Sequence, residues 1–391
     1  LLIFQEKKES RYMPLNSNQT GSSKKSFLGR LAASPLYVKI LLAVLVLVLI
    51  AAGVVTYLYS QVAGVFDTGD AGSLSQLTDE DIEANGERFY NLLLVGIDYD
   101  SDDEGRDYAE GKGMTDVILY VQIDRDKDSI NVLQIPRDSY VGEYIAEGVP
   151  GNTGKINEVY ANGPDQTNRI NNLANKIYEM FKLPVDNFVT IDMNAFKTLL
   201  NVMGGIQMYV PWDIVHTDSV TGEETLLVPQ GTHRIDGDTA EVILRNRNYA
   251  QADYKRLETQ QYFYAALVRT FLEEYELADY YTACKNIAYY INTDLDITEI
   301  WGLYATMTQV EPGDIYIVRL PGGGYTSPAF PKQSVYALDR NATAELLNAH
   351  FRDPDMPVAA EKLEIPTDVE WPYGVTSDPG KTLGDVNDGS Q

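Results

Sequence analysis

The clearest run of apolar and polar positions lies at residues 114–138, MTDVILYVQIDRDKDSINVLQIPRD. Two stretches of β-branched and apolar residues, 117–124 and 129–135, flank the charged break 125–128. That pattern predicts a hairpin closed by a short loop. With Asp124 paired to Ser129, the register runs down the hairpin and puts Asp116 opposite Arg137. A second apolar run, 91–97, ends at Asp98, before a long loop that returns to Asp116. Asp98, Asp116, Arg137 and Asp138 are therefore expected at one edge of a sheet.

Further along, helical spacing is predicted over 166–181, 194–203, from 236 toward 245, and over 253–275, 278–291, 297–308 and 344–351, the last capped by Thr343. Strands are predicted at 187–192, 206–210 and 315–320, a polar loop at 217–230 and a turn at 321–324. The alternation argues an α/β domain in which helices cover a central sheet. Beyond Asp353, Pro, Asp, Gly and Thr dominate without periodicity, which predicts a disordered tail.

The first 87 residues read differently. Residues 40–66 carry no charge and 40–58 are almost wholly apolar, long enough at ~1.5 Å per residue to cross a hydrocarbon core of ~30 Å. Seven Lys and Arg against two Glu precede this run and acidic residues follow it. The positive-inside rule then places the N-terminus in the cytoplasm and the rest outside the cell. The expected organisation is a disordered basic segment (1–35), a transmembrane helix (36–60), a linker (61–87), a folded domain (88–352) and an acidic tail (353–391).

Charge and cysteine content narrow the chemistry. The net charge is −26, and a phosphate backbone would repel so acidic a domain, so nucleic acid is not an expected partner. A lone cysteine, Cys284, allows no internal disulfide and reads as a small buried thiol. His216 and His233 have no second imidazole or thiolate at ligand spacing, which argues against zinc. Asp98 and Asp116 are hard oxygen donors suited to Mg2+ or Mn2+. Arg137 and Lys155 offer positive charge nearby, although Asp138 capping a turn and pairing with Arg137 would explain those two residues as well.

A second cationic stretch is 244–260, LRNRNYAQADYKRLETQ. Arg245 and Arg247 converge on one ligand only at a helix end or on extended chain. Asp253, Arg256 and Gln260 line one helix face, which fits an anion clamp and equally a solvated face with an ordinary ion pair. No serine nucleophile elbow and no phosphate-binding Gly-Lys-Ser/Thr loop occurs.

Taken in order, NLLLVGID (91–98), TD (115–116), IPRDSYV (135–141), KIN (155–157), GGI (204–206) and RNRN…D-x-x-R-x-x-x-Q (245–260) resemble the LytR-CpsA-Psr family, over about 89–351. The resemblance implies an α/β/α sandwich with a central mixed sheet. It also implies a membrane-anchored extracellular phosphotransferase that moves anionic glycopolymers, such as teichoic acid or capsule, from a polyprenyl-pyrophosphate carrier to peptidoglycan. By position, Asp98 and Asp116 would hold Mg2+ (or Mn2+). Arg137, Lys155, Arg245, Arg247, Asp253, Arg256 and Gln260 would bind the pyrophosphate, with Asp116, Arg137, Asp138 and Arg256 at the chemistry. Two positions depart: Met114 and Thr259 stand where the family usually has arginine, and Lys112 or Arg106 are candidates to compensate. A non-catalytic binding paralogue and an envelope-linked transcriptional attenuator are the alternative expectations.

Overall fold

The chain divides into two compact units, Leu1–Val62 and Ala63–Gln391. The structure, a computed structural model, describes residues 88–98, 113–142, 154–218, 220–246, 252–273, 291–295, 299, 302–303, 306, 310–327, 334–371 and 374–386, all in the second unit. The expected membrane span, linker and Cys284 lie outside the described residues. Among those residues, no helix is long and apolar enough to cross a membrane.

The apolar runs form the middle of a mixed seven-stranded sheet. Its strands are β1 (Phe89–Asp98), β2 (Met114–Asp124), β3 (Ser129–Gln134) and β4 (Asn187–Asp192). Two short hairpins beside it use β5 (Ile206–Val210) with β8 (Gly231–Ile235), and β6 (Ile214–Thr217) with β7 (Glu224–Val228). The sheet continues with β9 (Ile291–Thr293) and β10 (Ile315–Arg319) and is closed at one edge by β13 (Lys381–Thr382). A separate ribbon pairs β11 (Gly322–Thr326) with β12 (Ser334–Leu338). The order across the main sheet is β13-β10-β3-β2-β1-β4-β9. β1, β3, β4 and β10 run one way, and β2, β9 and β13 run against them.

Helices cover both faces. On one, α1 (Arg169–Phe181) and α5 (Arg340–His350) pack Leu173, Ile177, Phe181 and Leu347 onto Leu93, Val95, Ile118, Tyr120 and Leu133. On the other, α2 (Met193–Val202), α3 (Gly237–Arg245) and α4 (Ala252–Glu273) cover Leu119, Ile123, Val132 and Ile317. Each aliphatic or aromatic side chain fully withdrawn from water contributes about 1.5–3 kcal/mol, so these two layers dominate stability. The α/β/α expectation holds, and the hairpin register holds from Asp124↔Ser129 to Leu119↔Gln134.

Four readings are corrected. The stretch 217–230 is not all loop, since β7 pairs with β6. The stretch 321–324 is not a turn: from Gly322 it is the start of β11, whose glycines hid the alternation. Helix α5 begins at Arg340, capped by Asp339, whose side chain accepts from the Ala342 N–H; Thr343 is interior and buried. The tail past Asp353 is structured at residues 354–371 and 374–386. There Leu363, Ile365, Leu383 and Val386 are buried, and β13 pairs with β10. Arg269 of α4 also donates to the Leu383 and Val386 carbonyls at 2.7 and 3.0 Å. Isolated apolar residues held by long-range contacts leave no local period to read.

Candidate anion and phosphoryl-transfer site

The four strands that run together end at the same edge, with Asp98, Gln134, Asp192 and Arg319 as their last residues. Open α/β sheets bind ligands outside the carboxyl ends of such strands. At this edge β2 enters with an irregularity: Gly96 pairs with Val117 but Ile97 pairs with Thr115, leaving Asp116 as the extra residue of a bulge. Bulges re-aim a side chain beside functional sites. Gly96 permits it, because a Cβ there would lie 3.0 Å from the Val117 Cβ. Asp98 closes β1 opposite Met114 and is 5% exposed.

Beyond β3, Pro136 lacks an N–H and ends the ladder. The turn that follows is fixed by the Ser139 N–H and hydroxyl, both donating to the Pro136 carbonyl at 2.9 and 2.6 Å. Asp138 is thereby turned inward, 7% exposed. Residues 154–157 then zip onto this turn: Tyr140 bridges Lys155, the Ile156 N–H donates to Ser139 O, and the Asn157 N–H donates to Arg137 O.

Three cations from three segments meet at Asp138. Lys155 Nζ lies 2.9 Å from Oδ1, Arg256 Nη2 3.1 Å from Oδ2, and Arg137 Nε 3.7 Å from Oδ2. Arg137 also donates to Asp116, as the hairpin register anticipates. Burial pushes the Asp138 carboxyl up, but Arg137, Arg256 and Lys155 outweigh it and hold it below the usual carboxylate range. Arg137, Lys155 and Arg256 thus gather round Asp138, with Asp116 bonded to Arg137 and Asp98 on the neighbouring strand end. Arg256 is 3% exposed, so its charge acts in a poorly screened setting. Tyr264, two turns along α4, feels Arg256, Asp116 and Arg137, but burial is what chiefly pushes its phenol up.

Gln260 is held at both ends of its amide. Its amide oxygen accepts from Gln134 Nε2 at 2.9 Å, and its own Nε2 donates to the Leu244 carbonyl at 3.0 Å. It therefore ties α4 to the end of β3 and to the last turn of α3, the turn that carries Arg245. The side chains of Arg245 and Asp253 and the whole of Arg247, Lys112 and Arg106 lie outside the described residues. The two departing positions are visible. Thr259 is fully buried with its hydroxyl donating back to Lys255 O at 2.7 Å, and Met114 Sδ lies 3.9 Å from Asn157 Nδ2. Neither supplies a cation.

Sequence reasoning passed over Arg319 and Gln134. Arg319, 1% exposed, ends β10 in register with Gln134 at the same edge. A cation closing an otherwise apolar strand, IYIVR, was the available signal. His216 is exposed on β6 and His233 lies on β8. Among the described residues, no group of three or more His, Cys, Asp or Glu is placed to hold a metal; the pair Asp98 and Asp116 stands on adjacent strand ends.

A family model described as the LytR_cpsA_psr family matches residues 55–352. The chain is 26% identical over 238 residues to the Bacillus subtilis polyisoprenyl-teichoic acid–peptidoglycan teichoic acid transferase TagV, covering 60% of this chain and 56% of that protein. It is 24% identical over 244 residues to the B. subtilis transferase TagT, covering 61% and 70%. The match thus spans little more than half of TagV. Among solved structures, the crystal structure of B. subtilis TagV superposes with a TM-score of 0.52 at 23% identity, covering 67% of this chain and 96% of that one. A Streptococcus agalactiae protein superposes with a TM-score of 0.55 at 21% identity, covering 69% and 91%. These likenesses show the fold.

Proposed function

Because the chain belongs to the LytR_cpsA_psr family, we propose that it is a membrane-anchored, extracellular phosphotransferase acting on polyprenyl-pyrophosphate-linked glycopolymers. The product would be a polymer such as teichoic acid or capsule attached to peptidoglycan. The observation that carries this reading is the convergence of Arg137, Lys155 and Arg256 on Asp138, a preassembled cationic wall at the carboxyl edge. TagV and TagT, its relatives, are named as teichoic acid transferases, which supports it.

Phosphoryl displacement needs charge neutralisation and alignment more than covalent protein chemistry. A hydroxyl of the acceptor glycan attacks the glycan-side phosphorus, a P–O bond forms, the bridging P–O bond breaks, and lipid phosphate leaves with the bridging oxygen, taking up the proton that the hydroxyl gives up. Arg137, Lys155 and Arg256 stabilise the charge that moves onto the leaving oxygens, with Arg245 and Arg247 as further ligands. Asp138, kept ionised, orients the three cations and is unsuited to take a proton. Gln260 positions α4 and the end of α3, and Asp253 extends the same helix face. The residues present fit a divalent ion: Asp98 and Asp116 are hard oxygen donors at neighbouring strand ends and would hold Mg2+ (or Mn2+), which supplies charge neutralisation. The lipid would lie along the half-buried apolar positions Leu94, Val117, Val121 and Ile191, on the sheet face that α2 and α4 cover less completely. The apolar segment 36–60 would serve as the anchor.

Asp116→Ala and Arg137→Ala are each expected to lower Mg2+-dependent release of lipid phosphate from a polyprenyl-pyrophosphate substrate by about a hundredfold or more. Unchanged turnover in both variants would sink the assignment. The neutral Met114 and Thr259 favour one second reading, a paralogue that binds the lipid pyrophosphate without turning it over. Retention without release by the wild type, with release restored by Met114→Arg, would establish it.

A further inference from the structure

Asn157 stands at the carboxyl edge with its amide oxygen unanswered. The residue is 6% exposed, and its Oδ1 is buried without a hydrogen-bond partner. At the other end of the amide, Nδ2 meets only the Met114 thioether, a weak acceptor, at 3.9 Å. The main chain is held on both sides, the N–H by Arg137 O at 3.1 Å and the carbonyl by Thr115 Oγ1 at 3.4 Å. The backbone at Asn157 is thus fixed to the turn that carries Lys155 and to β2. Exchanging its oxygen and nitrogen would set an acceptor against sulfur and leave the NH2 group unanswered instead.

A buried acceptor without a donor is costly, and a ligand is one of the few things that justify it. Ionised phosphate oxygens are acceptors themselves, so a pyrophosphate cannot answer Asn157. An amide oxygen takes a proton donor or a hard cation. The neighbours decide between them. Met114, which the amide touches, is the cross-strand partner of Asp98, and Asp116 follows two residues later in the adjoining bulge. Asp98 at the end of β1, Asp116 in the bulge of β2 and Asn157 in the turn after Lys155 are thus all neighbours of the Met114 position. The thioether itself is too soft to ligate Mg2+ or Mn2+.

We propose that Asn157 completes the cation site of Asp98 and Asp116, its amide oxygen meeting the divalent ion directly or through one of the ion's waters. This rests on the reading of those two aspartates as cation-holding residues. A neutral third oxygen adds a ligand without adding negative charge beside the anion-binding arginines.

The test is a titration of Mn2+ alone into the full chain, followed by loss of the free-ion EPR signal, with melting temperatures for each variant. Asp98→Asn should remove most binding. Asn157→Ala should weaken it by about tenfold or more, with little change in melting temperature because an unanswered acceptor has been removed. Asn157→Asp, which keeps the oxygen and the shape, should bind at least as well as wild type. Wild-type affinity in Asn157→Ala, with binding lost in Asp98→Asn, overturns the role of Asn157 alone. A wild-type chain that takes up no Mn2+, or an Asp98→Asn chain that binds like wild type, overturns the aspartate site and the proposal together.

Discussion

The two ends of the β2–β3 hairpin each bury an aspartate beside arginine, and they are built oppositely. At the loop end, one guanidinium is shared among carboxylates. Arg88 grips both oxygens of Asp124 at 2.9 and 2.8 Å and Asp353 at 2.8 Å, with Asp126 at 3.7 Å. At the carboxyl edge one carboxylate is shared among cations, Asp138 by Arg137, Lys155 and Arg256. The first arrangement engages all three guanidinium nitrogens with carboxylates, and it joins the start of β1 to the segment after α5. The second gathers three cations round one carboxylate, with Arg137 reaching Asp116 as well. Buried ion pairs alone are weak evidence of function; which partner is in excess separates a clamp from a binding site.

The largest effect should come from emptying the centre of the cationic wall. Asp138→Ala leaves buried cations uncompensated, so we expect a loss of about 3–5 kcal/mol in urea unfolding. Millimolar inorganic pyrophosphate should recover part of that loss by taking the place of the carboxylate. An unaltered midpoint, or a loss that pyrophosphate does not touch, would break the distinction between the two ends.

A smaller effect follows at the loop end. Burial pushes Asp124 up, but its hydrogen bonds and charge pairing with Arg88 outweigh this and hold it below the ordinary carboxylate range. A lowered folded pKa means that the pair's stabilisation is fully present above the unfolded value, near about 4, and is lost as pH falls through the folded one. The stability gap between wild type and Arg88→Met should therefore be widest above about pH 5 and close as pH drops below roughly 4. A gap that widens on acidification would contradict the pairing.

Much of this edge was legible in the chain because hairpin geometry is local. The two apolar runs 117–124 and 129–135 and the charged break between them fix the register, which carries Asp116 toward Arg137 beyond the last ladder pair. The bulge that makes Asp116 the extra residue depends on the close approach of Gly96 and Val117 across strands, which no spacing reveals. Gln260 shows a different limit. Its place on the face of Arg256 was readable, but its commitment to Gln134 and Leu244 depends on where two other elements end. Likewise β11 was hidden by glycines that carry no alternation. The C-terminal segment was hidden because Leu363, Ile365, Leu383 and Val386 are buried singly by distant partners.

The central claim is that the carboxyl edge binds a pyrophosphate and the loop end does not. Calorimetric titration of farnesyl pyrophosphate with Mg2+ into wild type, Arg256→Ala and Arg88→Met tests it most directly. Loss of a charge-assisted hydrogen bond of about 1.5–3 kcal/mol predicts that Arg256→Ala binds at least about tenfold more weakly, while Arg88→Met binds like wild type. Equal affinity in all three proteins, or an equal loss in both variants, would contradict the account.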